Sequence, residues 1–111
     1  MRGAFVRAPF RWVSLMAALA LGSACSSAVP QVTGADLARA QARDPGVSEA
    51  DLQRGRTLYL SRCTSCHAPF PPASRNAEAW HHDLAKMRAL AGIDAEQERL
   101  ILVYLETFAR P

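Results

Sequence analysis

Apolar and polar positions change their spacing several times along this chain, and each change marks an element. Val13 to Leu21 is one short apolar run, rich in Leu and Ala, behind a start carrying Arg2, Arg7 and Arg11. Ser26 to Gly34 is small and polar and contains Pro30, the composition of a tether. Ala35 to Arg43 predicts a short helix stopped by Asp44-Pro45-Gly46. Ser48 is then placed as an N-cap, with Glu49 and Asp51 in the first turn that follows. Leu52, Gly55 and Tyr59 share one face of this helix, which leads into Cys63. Pro69-Phe70-Pro71-Pro72 forbids helix and predicts a stiff loop. A further helix is expected from about Asn76 to Ala91, ended by Gly92. Asp94-Ala95-Glu96-Gln97 is a capping-box variant. Beyond it Leu100, Ile101, Tyr104, Leu105 and Phe108 form the i, i+1, i+4, i+5, i+8 stripe of a last amphipathic helix. No strand pattern or repeat is visible, so the expected class is all-α, with three to four helices.

The apolar run near the start is about half the roughly 20 residues that a membrane span needs. With its basic flank it reads as an export signal over residues 1–24. Leu21-Gly22-Ser23-Ala24-Cys25 resembles a bacterial lipobox, with Leu one residue further from the Cys than usual. Cys25 is then the expected lipidation site, and its acyl chains would fix the protein to a membrane surface while leaving the domain in water. Cleavage near Ala24 or Ala28 without lipid is the alternative. The expected division is a signal over 1–24, a tether with a short helix over 25–47, and one domain over 48–111.

Charge changes its meaning once the signal is set aside. The whole chain carries 13 basic and 10 acidic residues, for a formal charge of +3. Removing Arg2, Arg7 and Arg11 leaves equal numbers of each sign, so no affinity for nucleic acid is expected. The remaining domain has 64 residues, and chains this short usually need a staple.

Cys63-Thr64-Ser65-Cys66-His67 supplies a candidate. C-x-x-C-H is a haem-attachment pattern: two thiols on one turn can each add to a haem vinyl group, and the adjoining imidazole can ligate the iron. A thioredoxin-like pair would need a βαβ context, a zinc site two further ligands, and a plain disulfide no histidine. Cys25 is left over from this pairing, which suits a lipid thioether; an intermolecular disulfide is the rival explanation.

Over Ser48 to Pro111 the chain resembles the class I c-type cytochrome family. The matching residues are Gly55 and Tyr59, the motif itself, and Tyr104-Leu105. The stretches Leu52 to Tyr59, Trp80 to Met87 and Ile101 to Leu105 look like a compact bacterial monohaem subgroup, often lipoproteins. The resemblance implies one covalent haem c and electron transfer. It also implies crossing of the first and last helices where a small Gly admits an aromatic, and a proline carbonyl, from Pro69, Pro71 or Pro72, accepting a hydrogen bond from His67.

For the second axial position the candidates are Met87, His81 and His82, since Met1 and Met16 fall in the signal. At about 100° per residue, Trp80, Leu84, Met87 and Ala91 lie within roughly 40° of one another, His81 roughly 90° from that face and His82 almost opposite. Met87 is the expected ligand, with plain core filling as its alternative. No acid–base or nucleophilic constellation is seen beyond these residues. The expectation is a monomeric, lipid-anchored electron carrier on the periplasmic side of a bacterial membrane, serving redox partner proteins, and not an enzyme. An electron-wiring subunit of one oxidoreductase, or a gas-binding or sensing haem protein, are the alternatives.

Overall fold

A computed structural model describes residues 28–111; the expected signal and Cys25 lie outside them. Four helices make up the described chain: α1 (Gly34–Gln41), α2 (Glu49–Arg62), α3 (Ala77–Ala91) and α4 (Ala95–Phe108), with one 3-10 turn at Pro72–Ser74. The only β feature among the described residues is an isolated parallel bridge between Asn76 and Arg110. The fold is small and all-helical.

Helix starts follow from local side-chain chemistry. The Ser48 hydroxyl accepts from the Asp51 N–H at 3.1 Å, while the Asp51 carboxylate takes the Ser48 N–H at 2.9 Å. Asp94 and Gln97 make the same reciprocal pair at 2.8 and 3.1 Å. Each pair satisfies donors that a helix start leaves without an internal partner. Asn76 caps α3 through the Ala79 N–H at 2.9 Å. Gly92, at φ 62° and ψ 39°, ends it in the left-handed conformation that glycine alone adopts freely. α1 starts one residue earlier than expected, because Asp36 reaches back to the Thr33 N–H and hydroxyl, both at 2.7 Å.

The most extensive packing is α2 on α4. Gly55 stands at their crossing: a Cβ there would lie 2.1 Å from the Leu100 carbonyl oxygen and 2.9 Å from the Tyr104 Cβ. The two backbones therefore meet as closely as the missing side chain permits. Around that crossing Tyr59, Trp80, Leu84, Ile101, Tyr104 and Leu105 form one buried cluster. The expected stripe on α4 is buried at Leu100, Ile101, Tyr104 and Leu105, and Phe108 is half-buried against the same cluster. Tyr59 meets Trp80 edge-on at 6.1 Å and Tyr104 at 6.4 Å.

The segment expected as a tether is packed from Val29 onward. Val29 is only 5% exposed and belongs to the main core. Arg56 donates to the carbonyls of Pro30 (2.9 Å) and Val29 (3.3 Å), and the Tyr104 hydroxyl donates to Pro30 at 2.7 Å. Ala40 and Val47 close a second small cluster with Leu52. Arg43 donates to the Glu106 carbonyl, and Arg39 lies over the Phe108 ring. The folded unit thus begins near Val29 rather than Ser48, because these buried contacts offset the entropy of ordering a polar, proline-containing segment.

Candidate functional site

α2 ends at Arg62, and Cys63 is its C-cap, with its N–H bonded to the Tyr59 carbonyl at 3.1 Å. The C-x-x-C-H motif therefore occupies the turn after the helix rather than the helix itself. Thr64 and Ser65 hold that turn by donating their hydroxyls to the Leu60 and Arg62 carbonyls. Both thiols are free; Cys63 is half-buried and Cys66 exposed. Burial pushes the Cys63 thiol up from its ordinary value. A redox-active dithiol needs a shift in the other direction.

These side chains line a groove of about 250 Å³ whose walls are Cys63, Cys66 and His67 on one side and Met87, Leu90 and Ala91 of α3 on the other. A second hollow, of about 180 Å³, lies past Met87 and is bounded by Phe70, Arg75, Trp80, Asp83 and Lys86. Met87 is the wall common to both. The face of α3 expected to carry the ligand is graded along its length: Trp80 and Leu84 are buried, while Met87 and Ala91 are half-buried at the groove. His81 is directed elsewhere, its Nε2 hydrogen-bonded to the Glu106 carboxylate on α4. His82 is exposed, with Asp83 at 3.6 Å. Of the three candidates for the second axial position, only Met87 faces the motif.

His67 is exposed, and its Nδ1 lies 2.8 Å from the carbonyl of Ala68. A carbonyl can only accept, so Nδ1 is the donor in this contact, and Nε2 is the ring nitrogen that could hold a metal. The prolines do not take this role here. The Pro72 carbonyl accepts from Trp80 Nε1 at 2.9 Å, and the Pro71 carbonyl from the Ser74 N–H and hydroxyl. The loop they form is held from α2 as well, by the Tyr59 hydroxyl donating to the Phe70 carbonyl at 2.7 Å. Its far end is tied to the C-terminal segment, the Arg110 N–H donating to the Arg75 carbonyl at 3.1 Å.

Three site features escaped the sequence reading. Leu90 is 85% exposed and Phe70 44% exposed, the two large apolar side chains left open among the described residues, and each borders one of the two hollows. An amphipathic count could have flagged Leu90, three residues past Met87. Arg75 stacks over Phe70 (5.4 Å) and Trp80 (5.6 Å) and pairs with Asp83 at 2.7 Å. No local pattern signals that arrangement.

This donor set could hold a haem. Two thiols, an imidazole and a thioether are spread along facing walls, and among the described residues no group of three His, Cys, Asp or Glu side chains is gathered as a metal site. Walls of Met, Leu and Ala, with Phe nearby, suit an apolar plate with a soft axial position. Comparison with family models, with curated proteins and with solved structures returns no match for this chain.

Proposed function

We propose that this chain is an exported monohaem c-type cytochrome acting as an electron carrier, with a compact class I-type fold. The observation that carries the reading is the placement of Cys63, Cys66, His67 and Met87 around one groove. Cys63 and Cys66 would hold haem c by thioethers to its vinyl groups, and His67 and Met87 would supply ligands to its iron. Bound there, the haem supplies a one-electron Fe(II)/Fe(III) couple. The chain's own residues orient and shield. Ala68 fixes the His67 tautomer through the Nδ1 contact, and such outer bonds tune ligand strength. Leu90, Ala91 and Phe70 give the groove and its neighbour apolar lining. Tyr59 and Trp80 hold the proline loop through its carbonyls. Cys25 carries the lipid that keeps this otherwise water-facing domain at the periplasmic side of a membrane, where redox partner proteins reach it.

The test is spectroscopic. Haem should survive acid–acetone extraction and give a two-thioether pyridine haemochrome spectrum. Oxidised protein should show the weak red sulfur-to-iron band, and reduced protein should resist carbon monoxide. Met87→Ala should abolish the band and admit carbon monoxide, while His81→Ala, at a residue paired with Glu106, should do neither. Extractable haem, or zinc in its place, would overturn the reading. Ready binding of carbon monoxide by the unaltered protein would favour a gas-binding protein instead.

A further inference from the structure

The distance the domain can stand off a membrane depends on where the chain first becomes fixed. A tether free as far as Ser48 would span 23 residues from Cys25, a reach of about 80 Å when extended. The folded unit starts much earlier. Val29 is 5% exposed within the core that contains Tyr59 and Tyr104, and Arg56 of α2 donates to the carbonyls of both Val29 and Pro30. Tyr104 of α4 donates to Pro30 as well. The entering strand is therefore fastened to both helices at the α2–α4 crossing, by residues 26 and 74 positions away from Pro30. Beyond the clamp, α1 packs on α4. Only Ser26, Ser27 and Ala28 separate Cys25 from this clamp.

We propose that the Val29–Pro30 clamp shortens the membrane leash to four residues, so that the domain rides against the lipid surface instead of sampling the space above it. The inference rests on lipidation of Cys25. Four residues reach about 14 Å. A folded unit of this size is about 30 Å across, so no part of it lies beyond about 45 Å from the lipid headgroups. Partners must come to that layer: an electron donor or acceptor is one seated in, or lying on, the same membrane. A leash this short also restricts rotation, so the groove between the motif turn and α3 keeps a limited set of directions relative to the bilayer.

Neutron reflectometry on the full lipidated, haem-loaded protein tests this, using a supported bilayer of phosphatidylethanolamine and phosphatidylglycerol. The native protein should form a dense layer ending within about 45 Å of the headgroups. Inserting ten Gly and Ser residues between Ser27 and Ala28 should leave the haem spectrum unchanged. It should move the layer outward by about 10 Å and make it more diffuse. A native layer as distant and diffuse as that of the insertion variant, in protein whose mass includes acyl chains, would overturn the clamp alone. Protein whose mass shows no acyl chains would overturn the anchor and this inference together.

Discussion

Gly55→Ala is the most direct probe of the fold, because one added carbon has nowhere to go. Its Cβ would sit 2.1 Å from the Leu100 carbonyl oxygen, 2.9 Å from the Leu100 carbonyl carbon and 2.9 Å from the Tyr104 Cβ. Ordinary contact begins near 3.4 Å, so α2 and α4 would have to part by about 1.3 Å. Neither obstacle is a flexible side-chain tip: one is backbone and the other is the root of a residue with no exposed surface. Overpacking of this kind costs about 1–3 kcal/mol and occasionally more. This site belongs at the upper end, since parting the helices also loosens Ile101 and Leu105. Alanine recovers about 1 kcal/mol of helix propensity relative to glycine. The expected net loss is about 2 kcal/mol or more, from a total of about 4–13 kcal/mol for a domain of this length. Urea unfolding followed by circular dichroism at 222 nm, on haem-loaded protein, should show the midpoint falling by about 1 M with the slope retained. Gly34→Ala is the control, since nothing lies within 4 Å of a Cβ there. If Gly55→Ala unfolds within about 0.3 M of the native midpoint, given that slope, the close crossing of α2 and α4 is wrong.

Tyr59 and Tyr104 are the only tyrosines in the chain. Burial, as the largest cause, pushes both phenols up to about 12. Raised folded-state values contribute stability that is complete below pH 10 and is lost as pH rises through 10 toward 12. Absorbance at 295 nm should therefore show no tyrosinate near pH 10, and its appearance should coincide with loss of helical dichroism; a phenol titrating at 10 in folded protein would refute the burial. Trp80→Phe removes the shorter of two bonds to the Pro72 carbonyl, which keeps the Arg75 N–H at 3.4 Å, and should cost about 0.5–1.5 kcal/mol in urea unfolding. An unchanged midpoint would show that the bond contributes nothing. Cys25→Ser should yield protein that no longer partitions into detergent, with the haem spectrum intact; retained partitioning would remove the lipid from the account.

The helices were readable because their ends are decided within a few residues. Ser48 with Asp51, Asp94 with Gln97, and Gly92 are short-range devices, and the Leu52–Gly55–Tyr59 face is a matter of period. The gathering of Trp80, Leu84, Met87 and Ala91 on one face of α3 was readable for the same reason. What the sequence concealed depends on partners far along the chain. Val29 and Pro30 look like tether until Arg56 and Tyr104 arrive at their carbonyls, and backbone acceptors carry no compositional signature. His81 pairs with Glu106, 25 residues on, which no helical wheel of α3 alone reveals. The carbonyl beside His67 belongs to Ala68, one residue on, where the resemblance implies Pro69, Pro71 or Pro72.

The motif turn and the proline loop that follows it differ in stiffness. The proline loop is tied to three separate elements, by Tyr59 from α2, Trp80 from α3 and Arg110 from the C-terminal segment. Opening it means disturbing contacts that span most of the folded chain, so its motions belong to the high-energy end of the spectrum, close to global unfolding. The motif turn is held differently, by hydroxyls of Thr64 and Ser65 reaching carbonyls only three or four residues back, with Cys66 and His67 exposed. Such a turn frays at little cost. Its residues would surrender most of their freedom when thioethers form, whereas the loop has little left to lose. Hydrogen exchange would see this as protection gained at Thr64 to His67 on haem attachment, and almost none gained by the loop.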